Sequence, residues 1–182
     1  MNKPLPGSAI NKIQKTGGEI NLNAGSGTDT KPNYINFDIR PDVPEVDIVD
    51  DLNNIEDYFE PNTLSNIICF QVLEHFRRDD WRGMLSRFCA LLKPSGRIHL
   101  RVPSIEDLVD EYHRGHIDAE QMVYTIYGHQ EHFKNLPTML DYHKSGFTIE
   151  ILKDALEKDG MFVEEINHVY GLGMYHIVAI KK

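Results

Sequence analysis

With 182 residues, 41% of them apolar, the chain is long enough for one globular domain with a sizeable core. A formal charge of −9, from 28 acidic residues against 19 scattered basic ones, disfavours a nucleic-acid backbone as partner. No apolar run approaches the roughly 18 residues that span a membrane, and residues 1–18 lack the apolar block of a secretory signal, so a cytoplasmic protein is expected.

Residues 1–18 carry Pro4, Pro6 and Gly17-Gly18 with weak periodicity and read as a loose N-terminal arm or one short helix. Apolar runs then predict strands at 19–24, 34–38, 46–50 and 66–71, of the near-continuous kind that suits a parallel sheet covered on both faces. Asp79 or Asp80 is placed to cap a helix in which Trp81, Met84, Leu85, Phe88 and Leu92 recur at helical spacing. Lys93-Pro94-Ser95-Gly96 stops that helix, and Arg97 to Val102 is a fifth strand. Cys69 and Cys89 fall in a strand and a helix and read as small buried hydrophobes.

Ser104 with Asp107 forms a capping-box pattern before a helix with Ile105, Leu108, Val109 and Tyr112 on one face. A further helix over about 118–127 carries Met122, Val123, Ile126 and Tyr127, and residues 128–147 are irregular. Thr148 opens a last helix with Ile151, Leu152, Ala155 and Leu156 turned inward and Gly160 closing it. Phe162 to His168 and Met174 to Ile180 are strands joined through Gly171-Leu172-Gly173, hence an antiparallel hairpin at the sheet edge. The sum is a mostly parallel, seven-stranded α/β sheet: residues 19–182 as one domain, with an insertion at about 104–147 that shapes a second-substrate pocket.

The first strand runs into Asn23-Ala24-Gly25-Ser26-Gly27, and the second ends in Asp38. Bare backbone at such a turn lets a ligand approach closely, and a carboxylate nearby suits ribose hydroxyls. A dinucleotide fingerprint needs a third glycine where Thr30 stands, and an acid about twenty residues on; Asp38 comes only 11 residues after Gly27. Six residues, Thr28 to Asn33, separate the turn from the second strand, so the first βα helix must be shortened or absent. Three further strand ends carry polar groups on the carboxyl side of the sheet, where ligands of open α/β folds bind: Asp50-Asp51-Leu52, Gln71-Val72-Leu73-Glu74-His75, and the turn Lys93-Pro94-Ser95-Gly96 before the fifth strand.

In this order the segments of residues 19–182 resemble the class I S-adenosylmethionine-dependent methyltransferases, in particular the small single-domain type 11 branch. The resemblance implies a Rossmann-like fold with helices on both faces, S-adenosyl-L-methionine as cofactor and S-adenosyl-L-homocysteine as product. Carried over by position, Asn23, Ala24, Gly25, Ser26 and Gly27 would line the methionine portion. Asp38 would hold the ribose hydroxyls, Ile39 would pack on adenine, and Asp51 and Leu52 would meet its polar edge. Gln71 and Val72 would lie beside the sulfonium. The chain departs from the pattern at Asp29, where the family has its third glycine, and in the missing helix.

Among nine histidines, residues 75, 129, 132 and 143 gather around the last strand ends and the irregular stretch, and His75 or His143 is the expected general base. Glu74-His75 also resembles the metal-binding Glu-x-x-Glu-His of some O-methyltransferases, but Gln71 replaces the first acid and no metal is expected. The function these features imply is methyl transfer to oxygen or nitrogen of a small polar acceptor, a sugar or hydroxylated metabolite. The competing readings are a non-catalytic cofactor-binding or scaffold module and, against the acidic composition, an RNA methyltransferase. Oligomeric state is not legible.

Overall fold

Strands whose side chains are apolar on both faces need cover on both sides, and the computed structural model, which describes residues 2–128, 141–169 and 173–182, supplies it. The strands are β1 (Ile20–Ala24), β2 (Ile35–Asp38), β3 (Ile48–Val49), β4 (Leu64–Phe70), β5 (Leu92–Pro103), β6 (Met161–Val169) and β7 (Met174–Lys181). They form one sheet in the order β3-β2-β1-β4-β5-β7-β6. The pairs from β3 to β5 are parallel, whereas β7 runs antiparallel to both β5 and β6. Phe37, Leu22, Ile67, Leu100 and Ala179, one from each of five strands, are fully buried and mark the core.

The chain leaves β1 toward β2 on one side and returns through β4 on the other, which opens a crevice at the carboxyl ends of β1 and β4. No helix lies between β1 and β2. Side chains take over its ordering role. Asn36, 1% exposed in β2, accepts from Asn23 Nδ2 (3.1 Å) and the Lys31 N–H (2.9 Å) and donates to the carbonyls of Lys31 and Glu45. Asn23 Nδ2 also donates to the Asp29 carbonyl at 2.9 Å. The loop's polar backbone is thereby satisfied without a helix.

Of the two options for residues 1–18, the chain takes the helix: α1 spans Gly7–Lys15, Ala9 enters the core, and Lys12 Nζ reaches Asp47 at 2.6 Å. Helix α2 (Trp81–Leu91) buries Trp81, Met84, Leu85 and Phe88 as the periodicity predicts. Asp80 occupies its N-cap position, but already in helical geometry and without a side-chain cap bond, so neither Asp79 nor Asp80 caps it as expected. Strand β5 begins earlier than predicted, at Leu92, which leaves α2 extended and pairs with Leu64. Lys93 to Gly96 form a bulge inside the strand: Ser95 has φ +64°, and a Cβ on Gly96 would stand 2.8 Å from the Lys93 carbonyl.

Ser104 caps α3 (Ile105–His113) by accepting from the Asp107 N–H, and Asp118 with Gln121 forms a full capping box on α4 (Ala119–Tyr127). These two helices pack on each other, and their apolar stripes are only thinly covered: Val109, Tyr112, Val123 and Tyr127 stay exposed. Helix α5 (Ile149–Lys158), capped by Thr148, buries Leu152, Ala155 and Leu156; Ile151, expected inward, is 37% exposed. Gly160 follows it with φ +76°. Both cysteines are buried free thiols, and burial pushes the Cys89 thiol up to about 12. Gly171 and Leu172 of the expected hairpin turn lie outside the described residues, as do His129 and His132.

Candidate functional site

At the carboxyl edge of the sheet a cavity of about 700 Å³ opens at the β1–β4 switch point. Of the residues singled out in the sequence, Asn23, Gly25, Ser26, Gly27, Asp38, Ile39, Asp51, Leu52, Gln71, Val72 and His75 line it. Ala24 and His143 do not. Ala24 is fully buried in the ladder between Phe37 and Cys69, and His143 stands behind His75.

The glycine turn is shaped by what cannot be there. Gly25 has φ +64°, and a Cβ on it would stand 2.5 Å from Val72 Cγ2; Gly27 has φ +50°, and its Cβ would stand 2.8 Å from Arg40 Nη2. Backbone conformation favours glycine at both positions, and at Gly25 the packed Val72 side chain leaves no room for a Cβ. The Gly27 N–H donates to Asp38 Oδ2 at 2.7 Å, tying the turn to the end of β2. Asp38, 6% exposed, accepts at Oδ1 from the Arg40 N–H (3.0 Å) and Nε (3.1 Å). Its neighbour Ile39 is 42% exposed, an apolar side chain held at the cavity wall. Across the cavity Asp51 opens a single 3-10 segment, Leu52–Asp57, and accepts from the Asn53 N–H. Asp50 faces away, bonded to Lys3, Asn54 and Tyr58, and the partnering Lys3 ammonium holds its carboxyl far below the usual range.

Gln71, just after β4, has φ +55° although it is not glycine, and its N–H donates to the Arg101 carbonyl at 2.7 Å. A strained residue fixed at the mouth of a cavity is a common mark of a binding site. The 3-10 segment Leu73–His75 follows and turns Glu74 into the core, 0% exposed. Among the described residues neither Glu74 carboxyl oxygen has a hydrogen-bond partner, and burial pushes its pKa up to about 8. The Glu74 carbonyl accepts from the N–H groups of Lys144 and Ser145, and Ser145 Oγ donates to the Phe76 carbonyl. Residues 141–147 are thus stitched onto this turn.

Burial first, then the adjacent His143, pulls the His75 pKa down to about 4. The two rings meet edge to face at 5.1 Å. His75 Nδ1 lies 3.4 Å from the Tyr142 carbonyl, and His143 Nδ1 lies 2.8 Å from that of Thr125. Ligand-type atoms of Glu74, His75 and His143 lie within 4.8 Å of one another. Gln71 stands where an acid would add charge, so Glu74 is the one acid of that trio.

Arg40, Phe70, Phe76, Arg77, Arg101 and Lys144 also line the cavity and were missed in the sequence. Arg101 had a readable signal: it is a cation at the carboxyl end of a central strand that is otherwise apolar on alternate positions. Arg40 had none beyond its place two residues after Asp38.

The switch-point cavity, glycine turn and acid after β2 define a nucleotide-type ligand site on an α/β sheet. A family model described as a methyltransferase domain matches residues 16–165, and the chain belongs to that family. Solved structures share the fold. One is the 1,6-didemethyltoxoflavin-N1-methyltransferase of Burkholderia thailandensis, solved with its acceptor and S-adenosylhomocysteine bound. It is 16% identical with TM-score 0.60, over 96% of this chain and 76% of that one. An Archaeoglobus fulgidus SAM-dependent methyltransferase is 17% identical with TM-score 0.58, over 94% and 93%. A SAM-dependent methyltransferase from Methanosarcina mazei is 12% identical with TM-score 0.61, over 90% and 92%. No curated protein matches the sequence.

Proposed function

We propose that the protein is an S-adenosylmethionine-dependent methyltransferase acting on oxygen or nitrogen of a small polar acceptor, such as a sugar or hydroxylated metabolite. The observation that carries this is the tie between the glycine turn and Asp38 at the mouth of the switch-point cavity. The lining fits the cofactor: at Gly25 and Gly27 the turn presents bare backbone to the cavity, beside the Asp38 carboxylate. Gly25 to Gly27 would hold the amino-acid end through backbone groups rather than a helix dipole, since no helix follows β1. Asp38 would hold the ribose hydroxyls, with Arg40 yielding part of its hold on Oδ1. Ile39 and Leu52 would enclose adenine, and Asp51 or Asn53 would meet its amine.

When bound, the cofactor supplies an activated methyl group on a sulfonium. The chain's own task is then to orient the acceptor, an effect worth up to about 7–11 kcal/mol, and to exclude water. His75, neutral at physiological pH because its pKa is near 4, can accept a proton from the acceptor but is a weak base. His143 would act through His75, whose ring it abuts.

Calorimetric titration with S-adenosylhomocysteine tests the reading. Two charge-assisted bonds from Asp38, each worth about 1.5–3 kcal/mol, set the expected loss in Asp38→Ala at two to four orders of magnitude in affinity, on the order of 10²–10⁴. No binding by the wild type, or unchanged binding by the variant, rules it out.

A further inference from the structure

Among the described residues, Arg101 is a cation with no answering anion. It lies on β5, its guanidinium sits 4.3 Å from the centre of the Phe70 ring, and its Nε is buried without a hydrogen-bond partner. Its pairing neighbour on β7 is His176, whose pKa is lowered by burial first and then by the nearby guanidinium. Among the described residues no carboxylate forms an ion pair with it; Glu165, which acts on His176, does not reach it. A guanidinium never loses its proton, and a partly buried charge without an opposite one is costly. The face of Phe70 offsets only part of that cost.

The position of this unpaired charge matters. Arg101 lines the cavity, and its carbonyl holds the N–H of the strained Gln71. Arg77 and Lys144 line the end of the cavity formed by the turn after β4 and the segment 141–147 bonded to it, and neither has an ion-pair partner among the described residues. Asp80 and Asp141 also face that end, so its net positive excess is small and discrimination falls on Arg101, the cation withdrawn from solvent. Arginine suits this role because its planar fork matches a carboxylate or a phosphate in two parallel bonds.

We propose that the methyl acceptor carries an anionic group, a carboxylate or a phosphate, and that Arg101 binds it. This rests on the methyltransferase reading and narrows its substrate class from polar metabolites to anionic ones. Arg101 is a specificity residue here: it grips the acceptor away from the reacting atom and thereby fixes which acceptor atom faces the methyl donor.

The test uses the full chain saturated with S-adenosylhomocysteine, at constant ionic strength. Sodium phosphate and sodium acetate are titrated separately while the arginine Nε–H signals are followed by NMR. Saturable binding of at least one anion in roughly the millimolar range is expected, shifting the Arg101 signal. Arg101→Gln should weaken it about tenfold or more, and Arg101→Lys should weaken it less. Phosphate alone binding points to a phosphorylated acceptor, and acetate alone to a carboxylated one. Saturation by neither, or equal binding by Arg101→Gln, overturns the proposal. S-adenosylhomocysteine affinity is measured on every sample. Its absence in the wild type sinks the methyltransferase reading itself, and its loss only in Arg101→Gln marks a folding defect, leaving Arg101→Lys and the wild type to decide.

Discussion

Glu74→Gln should make the protein more stable at pH 8 relative to the wild type than it is at pH 6.5. Glu74 is fully buried with no hydrogen-bond partner among the described residues, and its pKa is raised from 4.5 to about 8. Across that window the unfolded chain has lost the proton that the folded protein still holds. Folding therefore takes up a proton, and stability falls as pH rises. His75 contributes the opposite slope lower down. Its folded pKa is near 4 against 6.5, so its contribution is complete above pH 6.5 and is lost as pH falls toward 4. The two slopes oppose each other between 4.5 and 6.5, which leaves pH 6.5 to 8 as the clean interval for Glu74. There the wild type should lose about 1.4 kcal/mol per pH unit from this group, about 2 kcal/mol in all. The glutamine removes that titration and adds a pH-independent cost of about 1–3 kcal/mol for a buried carboxamide. Urea unfolding of both proteins in EDTA, at pH 6.5, 7 and 8, measures the difference. Parallel stability curves would refute the buried neutral acid.

The remaining predictions concern the turn and its neighbours. Gly25→Ala forces a Cβ to 2.5 Å from Val72 Cγ2 at φ +64°, so S-adenosylhomocysteine affinity in calorimetry should fall at least about tenfold, with about 1–3 kcal/mol lost in urea unfolding. Asn36→Ala strips four hydrogen bonds, two of them to Lys31 in the loop after Gly27, and should destabilise the protein by about 2–4 kcal/mol while weakening the same ligand; a change in stability alone would separate the loop from the site. The His75 ring, followed by NMR, should titrate near pH 4, and a midpoint near 6.5 would remove burial as the controlling effect.

The strands were legible because both faces are covered: Ile67-Ile68-Cys69 of β4 is buried at every position, so its apolar run needs no alternation to be recognised. Helix α2 was legible for the complementary reason, one apolar stripe on one face. Stripes misled where their cover is thin. Ile151, Val123 and Tyr127 repeat with helical spacing yet remain exposed, because periodicity tells that a face is apolar and not what lies against it. In the site, backbone-driven features could be read, since Gly25, Gly27 and Asp38 are constrained by spacing alone. Arg40 could not be read the same way, and for Arg101 the strand-end position was readable but not its partners. Their roles depend on which strands lie side by side, and Asn36 looks like an ordinary polar residue until the missing helix leaves carbonyls for it to satisfy.

The helix-free crossover ties the start of the chain to the ligand site through a relay of side chains. Lys12 on α1 grips Asp47; the same Asp47 oxygen accepts from the Asn36 N–H; and Asn36 fixes both Asn23 and Lys31 around the glycine turn. In relatives with a helix after β1, that helix would be its own scaffold. Here the scaffold is borrowed from the element just before β1, so α1 works as a strut. Removing residues 1–18 would leave every pocket-lining residue in place and still slacken the pocket.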